Sequence, residues 1–271
     1  MSYDAIKIGA VIYDPKVTII WNIIADFFKE NGLDVECVFF KDYRTQVDAL
    51  LEEKIDIAWN SPLAWVDSVI RSNNSCKKSA MRDTDQNRAT VFLTRADSNI
   101  KNIQDLKGKK IGFGAIDSPQ ARLIPLNHLA KNGLDSTKDY EEVIFNIGYG
   151  LHGDHIGGER DALEALKKGD IDVSICVDLN YEAWKKDGTI DESQIICFEK
   201  TPEFDHCIFT VRESFSDERL KEWEDILFKM DYSNPKHKEM MDMEGLKKWV
   251  CGRTTGFEQL TQAVNRFNFF K

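Results

Sequence analysis

Apolar and polar positions along the chain predict strands and helices in turn. Ile6–Ile12 is apolar on both sides, as expected of a buried parallel strand. Lys16–Lys29 places apolar residues three and four positions apart, which is typical of an amphipathic helix, and Asn31-Gly32 follows as a stop signal. From Ser216 onward the pattern predicts helices, one of them over Gly245–Val250. Strands that alternate with helices favour an α/β fold with parallel sheets.

Two separate stretches of the chain follow the same plan. The first contains Ile6-Lys7-Ile8-Gly9, Asn31-Gly32-Leu33-Asp34 and Ile55-Asp56-Ile57, and the second contains Lys110-Ile111-Gly112, Asn132-Gly133-Leu134-Asp135 and Ile171-Asp172-Val173. Each copy reads as strand, helix, glycine stop, helix and strand. The repeat predicts two similar lobes, and a cleft between lobes is where small molecules bind.

The order of the elements predicts where the chain changes lobe. Ile195–Phe198 and Cys207–Arg212 are predicted strands that return the chain to the first lobe. We therefore expect one lobe made of residues 1–90 and 205–271 and a second made of residues 91–204. Two crossings between lobes would form a two-strand hinge, which permits closure over a ligand.

Composition and charge exclude some classes of partner. The formal net charge is −10 and the isoelectric point is near 5.1, which argues against nucleic acid or an anionic membrane surface as a partner. No apolar stretch approaches the ~20 residues of a membrane span. The first residues carry no export signal, so we expect a cytoplasmic protein as the sequence is written, or a periplasmic or surface-anchored one if a leader was removed.

Polar side chains follow several of the predicted strands. Ligands of open α/β proteins bind at the carboxyl ends of strands, so these side chains are candidate ligand contacts. They are Tyr13, Asp14, Asn60, Ser61 and Asp178. Arg82 comes just before the strand that leads into the second lobe. It is either part of a salt-bridged surface turn or a residue of the cleft wall that pairs with a carboxylate or phosphate.

A glycine-rich segment between a predicted strand and helix is the most unusual part of the chain. It runs from Gly148 to Asp161 and includes His152, His155 and Glu159. These residues are candidates for contact with a ligand or a metal, and the alternative is a solvated loop. The His-x-x-His spacing does not by itself identify a metal site.

Asp205-His206-Cys207 opens a predicted strand near the return to the first lobe. In a strand, Asp205 and Cys207 would point to one face and His206 to the other. Asp205 is a candidate ligand contact, and His206 and Cys207 are candidate catalytic residues. The alternative for Cys207 is an inert thiol in the core.

Several segments, in this order, resemble the phosphonate-type substrate-binding proteins of ABC importers. They are Ile55-Asp56-Ile57-Ala58-Trp59-Asn60, Asp117-Ser118-Pro119-Gln120-Ala121 and Ile171-Asp172-Val173, and the resemblance extends from about residue 6 to residue 215. It implies the type 2 periplasmic-binding-protein fold and a small polar solute, anionic or zwitterionic, in the interlobe cleft. It also implies an ABC permease as partner.

Two positions depart from the family pattern. At the helix start of the second lobe, phosphonate-binding members of the family have a sequence that resembles Ser-Thr-Ser, whereas this chain has Ser118-Pro119-Gln120. One hydroxyl and the backbone amides therefore remain to bind an anion. Glu159 falls at the position that resembles the family's ligand-binding histidine, where an acid suits an amine, a metal or a hydroxyl-rich ligand better than a bare phosphonate.

The residues also support an alternative function. This is a cytoplasmic enzyme on the same fold that uses the loop from His152 to Asp161 and the Asp205-His206-Cys207 cluster, with or without a metal. The sequence identifies no cofactor, and it leaves open whether a metal is bound or a reaction is catalysed.

Overall fold

A computed structural model of the chain describes residues 4–153 and 157–270. The strands and helices up to residue 153 are β1 (Ile6–Val11), α1 (Lys16–Glu30), β2 (Val35–Phe40), α2 (Tyr43–Leu51), β3 (Ile57–Asn60), α3 (Pro62–Arg71), β4 (Lys77–Lys78), β5 (Ala80–Arg82), β6 (Thr90–Arg95), β7 (Lys110–Phe113), a π-helical turn (Pro119–Leu123), α4 (Ile124–Lys131) and β8 (Glu141–Ile144). Those after it are α5 (Gly158–Lys168), β9 (Val173–Val177), α6 (Asp178–Lys186), β10 (Ile195–Lys200), β11 (Ile208–Val211), α7 (Asp217–Leu227), α8 (Pro235–Glu244), β12 (Trp249–Cys251) and α9 (Glu258–Arg266).

The chain forms two compact units. The first comprises residues up to Gln86 together with Asp205–Gly256, and the second comprises Asn87–Phe204 together with the residues from Phe257 onward. No helix in the described part of the chain is both long enough and apolar enough to span a membrane.

Both units contain a five-stranded sheet of the same design. In the first unit the strand order is β2-β1-β3-β11-β4, and in the second it is β8-β7-β9-β6-β10. The first three strands of each order are parallel, and the fourth runs antiparallel to its neighbours. The α/β class and the two matched halves predicted from the repeat are therefore confirmed.

The match between the two halves extends to single hydrogen bonds. The Asp56 carboxylate accepts from the backbone N–H of Lys7, and the Asp172 carboxylate accepts from that of Lys110, both at 2.9 Å. Asp56 lies immediately before β3 and binds the backbone of β1, and Asp172 lies immediately before β9 and binds the backbone of β7. This is the physical reason for the repeated Ile-Asp pair in the sequence.

Each sheet carries apolar helix faces, as the periodicity predicted. In α1, the side chains of Ile20, Ile24 and Phe28 lie in the core of the first unit. The Phe28 ring stacks on Trp223 of α7 with a centroid separation of 5.6 Å. Burial of rings of this size contributes strongly to stability.

Three expectations about the chain path are corrected. Residues 257–271 were expected in the first lobe, but the described part of this segment belongs to the second unit, where α9 packs on α4 and the Arg266 guanidinium donates to Asn127 at 2.9 Å. Ile195–Phe198 belongs to β10, which pairs with β6 of the second unit and does not return to the first. Trp249–Cys251, part of a predicted helix, is a strand because it pairs antiparallel with β5.

The repeated aspartates allow a matched test of stability. Asp56 also pairs with Arg212 at 2.8 Å, whereas Asp172 serves the backbone of Lys110. We expect Asp172→Ala to lower the free energy of unfolding by about 1 kcal/mol and Asp56→Ala by about 2 kcal/mol, because the second substitution also removes one of the two carboxylates that pair with Arg212, the other being Glu53. Urea unfolding measures both, and a larger loss for Asp172→Ala would contradict this account.

Candidate functional site

The second unit places a capped helical segment directly after β7. Ser118 is 1% exposed, and its hydroxyl accepts from the backbone N–H of Ala121 at 3.1 Å. The π-helical turn at Pro119–Leu123 then runs on into α4, so the helical segment is long enough to have a dipole. A serine hydroxyl that accepts one hydrogen bond still has its own O–H to donate. The predicted anion-binding end at Ser118 is thus built as a proper N-cap.

A glycine-rich loop lies against this helical start. Gly153 has φ of +64°, and a Cβ placed there would lie 3.1 Å from the Cβ of Ser118. His152, a predicted ligand contact, also has positive φ and is half-buried in this loop. His155, predicted with it, lies outside the described residues. The loop after β8 and the helix after β7 therefore meet at Ser118.

Asp117 is a residue of this site that the sequence analysis missed. It is 4% exposed, and its Oδ2 accepts from the backbone N–H of Gly150 at 2.7 Å. Burial raises the pKa of Asp117, while the backbone N–H groups of Gly150 and His152 act to lower it. The sequence signal that could have identified Asp117 is an acidic residue immediately before a Ser-Pro helix start, with a glycine-rich loop later in the same lobe.

Glu159 lies beside the helical start, but as an internal acceptor. Its Oε2 accepts from the backbone N–H of Val177 at 2.9 Å and from the side chain of Asn180 at 2.8 Å. Burial raises its pKa, and these two donors and the Gln120 side chain act to lower it. The Glu159 carboxylate thus joins α5 to β9 and α6, and its contact with a ligand stays a prediction.

Asp178, at the first turn of α6, pairs with the Arg88 guanidinium at 3.5 Å. Burial raises its pKa, and Arg88 acts to lower it. Its carboxylate also accepts from the backbone N–H of Leu179. Asp178 is thus part of an ion pair within the second unit.

In the first unit, the predicted strand-end residues take part in local structure. Asp14 accepts from the backbone N–H of Lys16 at the start of α1, and the half-buried Tyr13 packs against the core. Ser61 is the N-cap of α3. Asn60 is fully buried, where it accepts from Gln46 at 2.8 Å and donates to the hydroxyls of Ser68 and Thr210. Asn60 is therefore part of a hydrogen-bond network within the first unit, and its contact with a ligand stays a prediction.

Arg82 is also internal. Its guanidinium donates to both Asp85 carboxylate oxygens, at 2.8 and 2.7 Å, and to the backbone carbonyl and carboxylate of Glu244. It stacks over the Trp59 ring at 5.3 Å. Burial works against the charged form, but the neighbouring carboxylates raise the pKa of Arg82 well above its ordinary value. The salt bridges predicted for this turn are present, but Arg82 is buried and does not lie on the surface. Its part in a cleft wall stays a prediction.

The expected geometry of Asp205-His206-Cys207 is wrong. These residues precede β11, which begins at Ile208, so the alternation of a strand does not apply to them. The Nδ1 of His206 lies 3.1 Å from the Cys207 sulfur and 3.7 Å from Asp85. Asp205 is buried and accepts a bidentate pair of hydrogen bonds from Arg253, both at 2.6 Å, and its contact with a ligand stays a prediction.

Asp85, His206 and Cys207 offer ligand atoms within 4.8 Å of one another, which is a spacing that could suit a metal ion. Both Asp85 oxygens, however, already accept from Arg82. A cation would have to displace a buried guanidinium from its bidentate partner. The arrangement therefore favours a hydrogen-bonded charge cluster, which holds the segment before β11 against β5.

Together, the two units define a class of protein. Two α/β sheets of this strand order, with a capped helix start after β7, are the type 2 periplasmic-binding-protein fold. The family described as ABC transporter, phosphonate, periplasmic substrate-binding protein matches residues 14–254. The chain therefore belongs to this family, and its class of function is the binding of a small solute.

Individual proteins agree with this assignment. The chain is 25% identical to a probable ABC transporter phosphite-binding protein, PhnD1 of Prochlorococcus marinus, over 97% of this chain and 90% of that protein. The structure of PhnD1 in complex with methylphosphonate has a TM-score of 0.71 at 18% identity and covers 97% of this chain and 98% of PhnD1. The aliphatic sulphonate-binding protein SsuA of Escherichia coli shares the fold with a TM-score of 0.65 at 14% identity, covering 99% of this chain and 89% of SsuA.

Removal of the Arg82 charge tests the internal cluster. We expect Arg82→Met to lower the free energy of unfolding by about 3–5 kcal/mol at neutral pH, because it leaves buried carboxylates without their cation. Burial raises the pKa of Glu244 and Arg82 opposes this, so the variant raises that pKa further. A carboxyl whose pKa is higher in the folded than in the unfolded state favours folding most when it is protonated. The difference in free energy of unfolding between the wild type and Arg82→Met should therefore shrink as the pH falls.

Urea unfolding of the wild type and of Arg82→Met at several pH values measures this effect. Glu244→Gln in the Arg82→Met background is the control, since it removes the titrating group and should weaken the pH dependence of the deficit. A loss of free energy of unfolding in Arg82→Met that grows as the pH falls would contradict this account of the Arg82 cluster.

Proposed function

We propose that this chain binds a small phosphorus oxyanion at the helical start of the second unit. The observation that carries the proposal is the buried N-cap at Ser118, with the glycine-rich loop packed against it. The N-terminal end of a helix offers backbone N–H donors and a partial positive charge, which together attract anions. Membership of a phosphonate-binding family and the methylphosphonate complex of PhnD1 support the same ligand class.

Local groups have to attract the anion, because the chain as a whole is acidic. The formal net charge is −10, so the overall field repels a negative solute. The buried Arg82 guanidinium is paired with the carboxylates of its own unit. Hydrogen-bond donors at the helix start are consistent with binding despite this charge.

The same proposal extends to the partner protein and to the cellular location. The family is one of periplasmic substrate-binding proteins of ABC transporters, so the partner that follows is an ABC permease that receives the solute. A periplasmic or surface-anchored location goes with that partner, and the cytoplasmic location expected from the sequence as written remains the alternative. Cell fractionation separates the two.

Calorimetric titration tests binding directly, with methylphosphonate, inorganic phosphate and phosphite as probes. We expect one equivalent of at least one of them to bind, and Ser118→Ala to weaken that binding, because the variant loses a hydroxyl donor and an N-cap. Absence of binding for all three probes at millimolar concentration would refute the proposal.

A matched pair of glycine variants tests the loop. Gly153→Ala should weaken binding of methylphosphonate by about tenfold, because its Cβ crowds Ser118 and overpacking typically costs about 1–3 kcal/mol. Gly188 has similar positive φ, +79°, but open space around it. Gly188→Ala therefore controls for backbone strain and should leave affinity unchanged. Equal losses in both variants would mean that the loop has no specific part in binding.

A further inference from the structure

A cavity of about 370 Å³ lies within the second unit, at the other end of α4 from Ser118. Its walls come from the second half of α4, from the loop that follows this helix and from the end of α9. Cavities of this size are in the range that holds small organic molecules. The helical segment between Ser118 and Ala130 spans roughly 15 Å, so the cavity is separate from the proposed anion site.

The floor of this cavity is apolar, and an aromatic residue lies at its mouth. Leu126, Leu134 and Tyr140 line the floor, and each of them is buried. Phe267, which follows α9, also lines the cavity but is 37% exposed, so a ligand can reach its ring from the solvent. Aromatic rings gain contact area and favourable ring–ring geometry from such surroundings. The lining therefore favours a ligand with a flat apolar body.

Polar groups on the loop side of the cavity have partners within the chain. The Oδ1 of Asp135 accepts from the backbone N–H and the hydroxyl of Thr137, at 2.9 and 2.8 Å, and its Oδ2 lies 3.6 Å from the Lys138 ammonium. The bonds from Thr137 lower the pKa of Asp135. Ser136 hydrogen-bonds to the Tyr140 side chain. The last carbonyls of α4 accept from backbone N–H groups just after the helix. These groups are therefore engaged without a ligand.

Arg266, at the end of α9, is the charged residue of this cavity that is not neutralised in the same way. Its Nε donates to the buried Asn127 side chain at 2.9 Å, which fixes one edge of the guanidinium against α4. In the part of the chain that the structure describes, no carboxylate pairs with Arg266, whereas Arg122 and Arg160 of the same unit pair with glutamates. A guanidinium fork binds a carboxylate through two parallel hydrogen bonds. The cavity thus offers a cation beside an apolar floor.

We propose that this cavity is a second binding site, which takes an aromatic carboxylate with its ring on the apolar floor and its carboxylate on the Arg266 guanidinium. Arg266 and Phe267 lie outside residues 14–254, which the family matches, so the wall that supplies the charge is not part of the matched region. The site is independent of the proposed function, because none of its lining residues takes part in the anion site at Ser118.

The test compares 2-naphthoate with 2-naphthamide by calorimetry at neutral pH. The two probes have the same ring system, but only naphthoate carries a negative charge. The wild type should bind one equivalent of naphthoate at least about tenfold more tightly than naphthamide, because hydrogen bonds between two charged groups are stronger than those to a neutral amide. Absence of naphthoate binding at millimolar concentration, or two affinities within about twofold of each other, would overturn the proposal.

Substitution of Arg266 then tests the charged group itself. Arg266→Gln removes the guanidinium, so the preference for naphthoate over naphthamide should fall to about threefold or less. Arg160→Gln is the control, since it removes the same charge from α5 of the same unit, where Arg160 pairs with Glu164 at 3.5 Å. This control should keep the wild-type preference. An unchanged preference in Arg266→Gln, or an equal fall in both variants, would contradict the role given to Arg266.

A cavity-filling variant tests the place of binding. Ala130 lines the cavity and is half-buried, so the ring of Ala130→Phe would occupy the space and should weaken binding of both probes at least about tenfold. If that variant does not fold, Phe267→Ala removes the exposed aromatic wall and should weaken naphthoate binding about threefold or more. Full naphthoate binding in the folded variant would refute the site.

Competition separates this site from the anion site at Ser118. Excess methylphosphonate should leave naphthoate binding to the wild type unchanged. Displacement of naphthoate by methylphosphonate would mean that naphthoate binds at the helical start, and it would overturn this proposal while supporting the proposed function.

Discussion

Close backbone packing after β7 is the constraint on which the binding end of the second unit depends. A Cβ on Gly114 would lie 2.6 Å from the Cβ of Ala121, and one on Gly158 would lie 2.7 Å from the carbonyl oxygen of Phe145. Any larger residue at these positions would push the helical start or α5 away from the strand ends. With glycine there, Ser118 sits as a cap immediately beyond the sheet and the loop from Gly148 closes against it. The chemistry of the site follows from this proximity, since it buries Asp117 and Gln120 together with the cap.

The two units share a frame but use their polar groups differently. In the first unit, Asn60 is satisfied by Gln46, Ser68 and Thr210, and Arg82 is satisfied by Asp85 and Glu244. Such networks make a unit rigid because each member holds the others in place. In the second unit, the helical start carries side-chain oxygens without a partner in the described residues. The two halves therefore share the plan of the sheet but differ in the polar contacts built on it.

The sequence could predict what is local and what is repeated. The strands, the helices and the apolar helix faces follow from periodicity, and the repeated Ile-Asp pairs correspond to the matching hydrogen bonds of Asp56 and Asp172. The burial of Arg82 and Glu159 could not be predicted, because the elements that cover a charged residue can be distant from it in sequence. Glu244, for example, is 162 residues away from Arg82. The amphipathic pattern of α9 likewise predicts that one face of this helix is buried, but it does not predict which unit covers that face.

The placement of charge also bears on how selection can work in this family member. A guanidinium at the ligand would attract phosphonate and sulfonate alike, since it offers five donors and responds mainly to negative charge. Here the Arg82 guanidinium is paired with carboxylates of the first unit, and the Arg122 guanidinium, within the helical start of the second unit, is paired with Glu142. The donors described at Ser118 are neutral N–H and O–H groups. The anion site proposed at Ser118 therefore depends on hydrogen-bond donors and on the partial positive charge of the helix end, and not on a full positive charge beside the ligand.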